Sequence, residues 1–296
     1  MEKNHPLEKS STATSPTVLE GLPFTPSLLG KAAFKRGSYK PGDQLPAKSM
    51  EVRDVVIDKT HLNSYKDVCG FGKTDLIPAT YLHMLAFPLF LKIVTKQAFP
   101  LKALGQVHLG NEITVLETFN GDQPITLRAS VGHGKLTGKG LEWYVESTAS
   151  VDNQVIWTST STYLHRCKTG MKRGKPVKAV PQGECQVWDI PADIGRRYAW
   201  ISNDYNPIHL ANTTAKLFGF RQAIAHGMWS KARCLAELQP ELPEKGYSIN
   251  VSFFRPIFLP SSVKFYHQNN ENDHTFSLFN KSGGQAYLIG TVSGKE

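Results

Sequence analysis

The hydrophobic and polar positions of this chain form two successive blocks that share one order. In the first block, an apolar stretch at residues 77–94 precedes several short runs rich in β-branched and aromatic residues. A stretch of this length that includes His83, Pro88 and Lys92 is typical of a buried helix, and the runs after it are typical of strands. The predicted strands cover residues 104–110, 112–119, 123–131, 141–151 and 154–165, with turns at 119–124 and 133–140.

The second block repeats this order. Residues 223–238 predict a helix, and the following segments predict strands at 247–259, 262–269, 274–281 and 285–292. The separation between His83 and Val107 nearly equals that between His226 and Val251, which indicates an internal duplication. Because a long helix buries its apolar face against the strands that follow it, the sequence predicts two similar α+β units, packed side by side through their sheets.

Composition divides the chain further. Residues 1–45 are rich in Ser, Thr, Pro and Gly without sustained periodicity, which predicts an extended arm that is flexible in part. Residues 167–183 combine Gly and Pro with a cluster of Lys and Arg, and this favours a solvated linker over a phosphate-binding element. The predicted organisation is an arm at 1–45, a first unit at 46–166, a basic linker at 167–183 and a second unit at 184–296.

The charge balance and the cysteines narrow the class of protein. The net charge is +9, which fits an anionic partner such as a phosphate-bearing cofactor or carrier. No zinc finger, RNP-like strand or basic tail accompanies this charge, so no nucleic-acid partner is expected. No run of about eighteen apolar residues predicts a membrane span, and the polar N-terminus without an apolar signal core predicts a cytoplasmic location. The four cysteines lack CxxC spacing, which argues against a disulfide framework or a zinc site.

The segment SNDYNPIH, residues 202–209, carries the candidate chemistry. Asp204 and His209 are five positions apart, whereas neighbours on one face of a helix are three or four apart. Pro207 fixes its own φ and disfavours the helical region at the residue before it. The segment is therefore predicted to be a shaped loop that folds the carboxylate and the imidazole toward each other, with a helix resuming near Asn212.

An Asp and a His held together in a pocket can share one water and perform general acid–base chemistry near neutral pH. The same residue types in a loop are usually structural, so the residues alone leave both interpretations open. Asn206 is expected to bond neighbouring backbone, and Asn203 to adopt the left-handed conformation that Asn tolerates. Gly227 stands near the start of the second predicted helix, where a free amide can bind a carbonyl oxygen that develops negative charge.

Together these residues resemble the signature of the MaoC-like, or hydratase 2, family. The matching positions are Tyr198, residues 202–209, Ala215, Gly219, Phe220, residues 225–228 and the segment 254–257. The resemblance implies an α+β double hot-dog fold, in which each of two units wraps an antiparallel sheet around a long central helix. The second unit carries the motif, and the first resembles a degenerate, acyl-binding hot-dog unit.

Carried over by position, the family's catalytic pair falls on Asp204 and His209, and its oxyanion-hole amide falls on Gly227. The residues expected to bind substrate or to support the pair are Ser202, Asn206 and His226. Asn203 is a departure from the family pattern, because the family usually has Gly at that position.

The resemblance implies reversible hydration of trans-2-enoyl thioesters to (3R)-3-hydroxyacyl thioesters, with an acyl-CoA or acyl carrier protein thioester as partner. It also allows a homodimer. No cofactor or metal is expected, which agrees with the lack of GxGxxG, HExxH and Cys–His clusters in the sequence. The candidates for contacting the phosphates of CoA or phosphopantetheine are Lys168, Lys172, Arg173 and Arg221. Two alternatives stay open: a hot-dog thioesterase, which would release free thiol, and a non-catalytic acyl-binding subunit, which would bind acyl-CoA without turnover.

Overall fold

The computed structural model describes residues 15–174, 179–270 and 273–294. The first fourteen residues of the predicted arm and residues 175–178 of the predicted linker lie outside these ranges, as do the last two residues of the predicted second unit. The strands are β1 (Thr17–Leu19), β2 (Lys48–Val55), β3 (Val107–Val115), β4 (Ile125–Thr137), β5 (Gly140–Val151), β6 (Gln154–His165), β7 (Glu184–Ile190), β8 (Tyr247–Phe253), β9 (Ser261–Asn270), β10 (Asp273–Asn280) and β11 (Ala286–Gly294). The helices are α1 (Thr25–Phe34), α2 (Lys59–Cys69), α3 (Ala79–Thr95), α4 (Ile194–Ser202), α5 (Asn212–Leu217) and α6 (Gly227–Leu238), with 3-10 turns at Pro207–His209 and Gln239–Glu241.

All these strands join one sheet, whose order is β1-β2-β4-β5-β6-β3-β8-β11-β10-β9-β7. From β2 to β7 the order is symmetric about the antiparallel pair β3–β8, so that β2, β4, β5, β6 and β3 correspond to β7, β9, β10, β11 and β8. Ile113 pairs with Ile249 at the centre of this junction, and both residues are fully buried. The hydroxyls of Thr114 and Ser248 bond across it at 2.9 Å. The two blocks predicted from the sequence are therefore continuous through one sheet.

Each half carries one central helix against this sheet. α3 matches the helix predicted at 77–94 and packs on β2, β3, β4 and β5. Pro88 lies inside α3, where it removes one helical hydrogen bond, yet the helix continues to Thr95. α6 is shorter than predicted, because the residues before Gly227 are extended. Ile224 forms a bridge with Phe258, and this pairing places Gly227 at the first position of α6.

Residues 15–45 differ from the predicted extended arm. They contain β1, which pairs with β2, and α1, which contacts α3. Leu28 and Ala32 are buried on α1, and the buried Lys35 donates from Nζ to the backbone oxygens of Val94, Phe99 and Leu101 at 2.6–2.7 Å. The two buried apolar side chains and the hydrogen-bonded Lys35 therefore dock this segment at the end of α3. The sequence of the segment has no long hydrophobic periodicity that would predict this docking.

Other secondary-structure elements also differ from those predicted from the sequence. In place of the two strands predicted at 104–110 and 112–119 there is one strand, β3 (Val107–Val115), with an irregular register between His108 and Gly110. β4 runs through most of the turn predicted at 133–140. β2, β7, α2 and α4 were not assigned from the sequence. None of the helices in the described ranges is both long enough and apolar enough to cross a lipid bilayer.

Candidate active site

The segment between α4 and α5 is the shaped loop that the sequence predicts. α4 ends at Ser202, and Asn203 takes the left-handed conformation with φ of 57° and ψ of 14°. The amide of Asp204 donates to the Ser202 hydroxyl at 3.2 Å, and the Asp204 carboxylate accepts from the amide of Asn206 at 3.3 Å. These local bonds hold the carboxylate at the turn, with 28% of its side chain exposed.

His209 ends the 3-10 turn and is buried. Its Nδ1 lies 2.8 Å from the backbone oxygen of Ile224. Because a carbonyl oxygen only accepts, Nδ1 carries the hydrogen, and Nε2 of the neutral ring keeps a free lone pair. An oxygen of Asp204 and a ring nitrogen of His209 lie within 4.8 Å of each other. The structure thus brings together the two groups that the sequence placed five positions apart.

His226 supports this pair from the residue before α6. Its Nε2 donates to the backbone oxygen of Asp204 at 3.0 Å, and its ring stacks on His209 with centroids 3.6 Å apart. The ring of Tyr198 also contacts the His226 ring, with centroids 4.9 Å apart and a tilt of 54°. The ring of His226 therefore fixes the backbone of Asp204 and the position of the His209 ring.

Gly227 is the first residue of α6 and lines the same cavity. No side chain caps this helix start, so its first amides are free and carry the positive end of the helix dipole. A Cβ on Gly227 would lie 3.2 Å from the ring of Phe253, which is a tight contact. A glycine here keeps the space in front of the amide open.

Burial shifts the pKa values of the pair toward each other. Burial raises the pKa of Asp204, while the charge of His209 and the Asn206 amide oppose the rise. Burial lowers the pKa of His209, while the Asp204 carboxylate and the Ile224 carbonyl oppose the fall. Burial, together with the charge of His209, holds the pKa of His226 well below its ordinary value. His209 is therefore neutral at neutral pH and keeps its lone pair for proton transfer.

The pair opens into a cavity of about 360 Å³ with walls from both halves of the chain. The second half contributes the residues already described together with Phe253, Arg255 and Ile257. The first half contributes His83, Met84, Phe87, Phe90, Leu91, His108, Tyr163 and Arg166. Apolar side chains of α3 make one wall, which suits an alkyl chain.

Of the residues on these walls, His83, His108, Tyr163, Arg166 and Arg255 were given no role from the sequence. They come from distant parts of the chain, so no local spacing could have grouped them. The basic candidates for phosphate contact lie elsewhere. Arg221 stacks over the ring of Phe258 at 4.3 Å. Lys168, Lys172 and Arg173 do not line the cavity, and the linker beside them packs on the β4–β5 turn, where the Thr169 hydroxyl donates to the backbone oxygen of Thr137.

Asp204, His209 and His226 also meet the distance condition for binding a metal ion. A metal held by an imidazole nitrogen lies near the plane of that ring, but the two rings are stacked face to face with only 24° between their planes. One nitrogen of each ring is already bonded to a backbone oxygen. The arrangement suits a bound water better than a metal ion.

The chain is similar to known proteins over most of its length. A family model described as a MaoC like domain matches residues 168–286. The 3-hydroxyacyl-thioester dehydratase X of Mycobacterium tuberculosis is 31% identical over 259 residues, which are 85% of this chain and 91% of that protein. The crystal structure of HtdX from that organism superposes with a TM-score of 0.73 at 30% identity, and covers 83% of this chain and 100% of that chain.

More distant structures share the fold alone. A MaoC-like dehydratase from Phytophthora capsici is 18% identical with a TM-score of 0.69, and covers 85% of this chain and 95% of that chain. An acyl-ACP thioesterase from Bacteroides thetaiotaomicron is 9% identical with a TM-score of 0.52, and covers 83% of this chain and 97% of that chain. The resemblance read from the sequence is confirmed by these matches: the chain belongs to the MaoC-like dehydratase family and has its α+β hot-dog fold.

Proposed function

We propose that this chain is a hydro-lyase that interconverts trans-2-enoyl thioesters and (3R)-3-hydroxyacyl thioesters. The observation that carries the proposal is the placement of the Asp204 carboxylate beside His209, whose Nε2 keeps its lone pair, in a cavity lined also by Gly227 and by apolar side chains. The dehydratase name of the 31% identical relative supports the same reaction class.

In the hydration direction, a water bound between Asp204 and His209 supplies both the hydroxyl and the hydrogen that add across the double bond. The pair accepts one proton from this water as its oxygen bonds to Cβ, and passes that proton to Cα. The pair ends as it began, so no external acid or base is consumed. The dehydration direction reverses each step, with the proton leaving Cα and water leaving Cβ.

The Gly227 amide would bind the thioester carbonyl oxygen while negative charge develops on it. A helix start offers a fixed donor and a positive dipole, and neither needs to reorganise during the reaction. The Asn206 backbone amide holds the Asp204 carboxylate, while Ser202 and His226 hold the Asp204 backbone. These three residues therefore act on the position of the pair.

The first half would bind the acyl chain. Met84, Phe87, Phe90 and Leu91 of α3 face the cavity, so a chain anchored at Gly227 would extend along this helix. Arg166 and Arg255 come from opposite halves, are exposed, and line the same cavity. Guanidinium groups pair well with phosphate, and we assign them to the phosphate of the CoA or carrier-protein arm.

Replacing Asp204 with Asn tests the proposal directly. The change keeps the size of the side chain and removes its charge, so the hydration rate of crotonyl-CoA should fall about 100- to 10,000-fold. A wild-type rate in purified, folded Asp204→Asn protein would end the assignment. Free thiol measured in the same reactions separates hydration from thioester hydrolysis, since hydration leaves the thioester intact.

A series of enoyl-CoA substrates from four to sixteen carbons, compared with the same acyl groups on a carrier protein, defines the substrate. Reduced discrimination between long and short chains after Phe90→Ala would support the assignment of the α3 wall to the acyl chain. The (3R) configuration is checked by chiral analysis of the product.

A further inference from the structure

A line of hydrogen bonds runs from a buried lysine on α6 to the wall of the catalytic cavity. Lys231 is fully buried at the β3–β8 junction. Its Nζ donates to Asn111 Oδ1 at 2.7 Å, to the Asn111 backbone oxygen at 3.0 Å and to the Ile249 backbone oxygen at 3.3 Å. Burial lowers the pKa of Lys231 well below its ordinary value. Its amino group links α6 to the central strand of each half.

The direction of this line follows from the chemistry of its members. The three oxygens around Nζ are carbonyl oxygens, which only accept, so Nζ donates to the Asn111 side-chain oxygen and the Asn111 amide nitrogen faces away. That nitrogen donates to the hydroxyls of Ser159 at 2.9 Å and Ser161 at 3.0 Å. Ser159 is buried, and among the described residues the only other hydrogen-bond partner of its hydroxyl is Nδ1 of His83, 3.1 Å away. The hydroxyl hydrogen therefore has an acceptor only if Nδ1 carries the lone pair. Nδ1 of His83 is the acceptor, and the ring carries its hydrogen on Nε2.

The Nε2–H of His83 is a donor without a partner. Among the described residues this atom makes no hydrogen bond, and it is not one of the fully buried polar atoms that lack a partner, so part of its surface is accessible. His83 is partly exposed and lines the catalytic cavity. Burial lowers the pKa of His83 to about 3, helped by the charges of His108 and Lys231. The ring is therefore neutral at neutral pH, and a neutral imidazole is a good donor to a carbonyl oxygen.

We infer that the Nε2–H of His83 donates a hydrogen bond to the carbonyl oxygen of the bound acyl thioester. This assignment rests on the proposed function. A carbonyl oxygen has two lone pairs, and the Gly227 amide would use one of them. Every substrate of this class carries that oxygen, whatever its chain length. The half without the acid–base pair would then contribute one donor to the reacting group.

Two matched ligands test the inference by binding alone. Decanoyl-CoA contains the thioester carbonyl, whereas S-decyl-CoA has the same chain and arm without that oxygen. His83→Phe keeps a ring of similar size but has no donor, so calorimetry should show decanoyl-CoA binding about five- to tenfold more weakly, with S-decyl-CoA changed less than twofold. Equal weakening of both ligands, or no change for either, would overturn the inference.

Two further variants separate hydrogen bonding from packing. His83→Gln retains an N–H donor and should recover most of the decanoyl-CoA affinity. Ser159→Ala removes the bond that fixes the ring tautomer, so it should weaken decanoyl-CoA only, by less than His83→Phe. If Ser159→Ala weakens S-decyl-CoA equally, His83 acts through packing and the assignment is wrong.

These binding measurements need no turnover. A selective loss of decanoyl-CoA affinity together with a wild-type hydration rate for Asp204→Asn would sink the proposed reaction and leave the His83 contact standing. If His83→Phe weakens decanoyl-CoA and S-decyl-CoA equally while Asp204→Asn is inactive, the His83 contact is refuted and the proposed reaction is supported.

Discussion

The two halves of this molecule carry related cavities of different chemistry. One lies at the start of α6 and holds the Asp204–His209 pair. The other, of about 290 Å³, lies at the start of α3, which is the corresponding place in the symmetric sheet. It is lined by Ile77, Ala79 and Leu82 of the first half and by Leu235, Tyr247 and Ile249 of the second. The same scaffold therefore supports one cavity that contains an Asp and a His beside each other and another whose described lining residues include neither Asp nor His.

The difference begins at a single position in each half. α2 and α4 both end in a left-handed residue, Gly70 with φ of 81° and Asn203 with φ of 57°. The next residue is Asp204 in the second half and Phe71 in the first, and each lines the cavity of its own half. In the first half the chain then runs from residue 71 directly to α3 at Ala79, without a 3-10 turn or an extra helix. The loop after the left-handed residue decides which half carries the neighbouring Asp204 and His209 side chains.

The sequence contained enough to predict this loop. The features that shape it are local: Pro207, the asparagines around it, and the spacing of Asp204 and His209. The hydrogen bonds within the loop follow from these features. The order of helix and strands was also readable, because alternating and apolar runs persist over whole elements. α1 was missed because its docking depends on Lys35 and a few apolar contacts with residues far along the chain.

The other wall of the cavity could not be predicted in the same way. His83 and Tyr163 have no acidic partner nearby in sequence, and it is the β3–β8 junction that brings their half against the loop of Asp204 and His209. The predicted strands 104–110 and 112–119 leave a break at Asn111, yet β3 continues through this position. The neighbouring Gly110 lies close to the Val251 backbone, where a Cβ would clash at 2.8 Å. Both errors arise from contacts between distant segments.

Matched substitutions in the two loops give the largest expected contrast. His209→Gln removes the free Nε2 lone pair, so kcat for hydration should fall about 100- to 10,000-fold. Phe71→Leu changes the loop of the first half, where no pair exists, and should leave kcat within about twofold. Steady-state hydration kinetics on both purified proteins decide the matter. Similar losses of kcat in both variants would contradict the assignment of the reaction to the cavity of the second half.

The starts of the two central helices give a smaller contrast. α6 begins with Gly227 and α3 begins with Ala79. Gly227→Ala would press a Cβ toward Phe253 and displace the thioester carbonyl, so kcat/KM should fall about tenfold or more. Ala79→Gly at the corresponding place should leave kcat/KM unchanged and cost only about 0.5–1 kcal/mol of stability. Full activity in Gly227→Ala would contradict the proposed bond between the Gly227 amide and the thioester carbonyl oxygen.

The pH dependence of hydration gives the smallest and most specific contrast. Proton acceptance by His209 needs its unprotonated Nε2, so kcat/KM should rise with pH through the pKa of His209 and then level off. Burial places that pKa below 6.5, and the Asp204 carboxylate opposes the shift by favouring the charged imidazolium. Removing this carboxylate in Asp204→Asn therefore lowers the pKa further, and the acidic limb of the residual activity should move to lower pH. Phe71→Leu should leave the limb in place, since no titrating pair stands beside that residue. A limb that moves to higher pH in Asp204→Asn would show that the carboxylate does not act on His209, because loss of a nearby negative charge cannot raise the pKa of an imidazole.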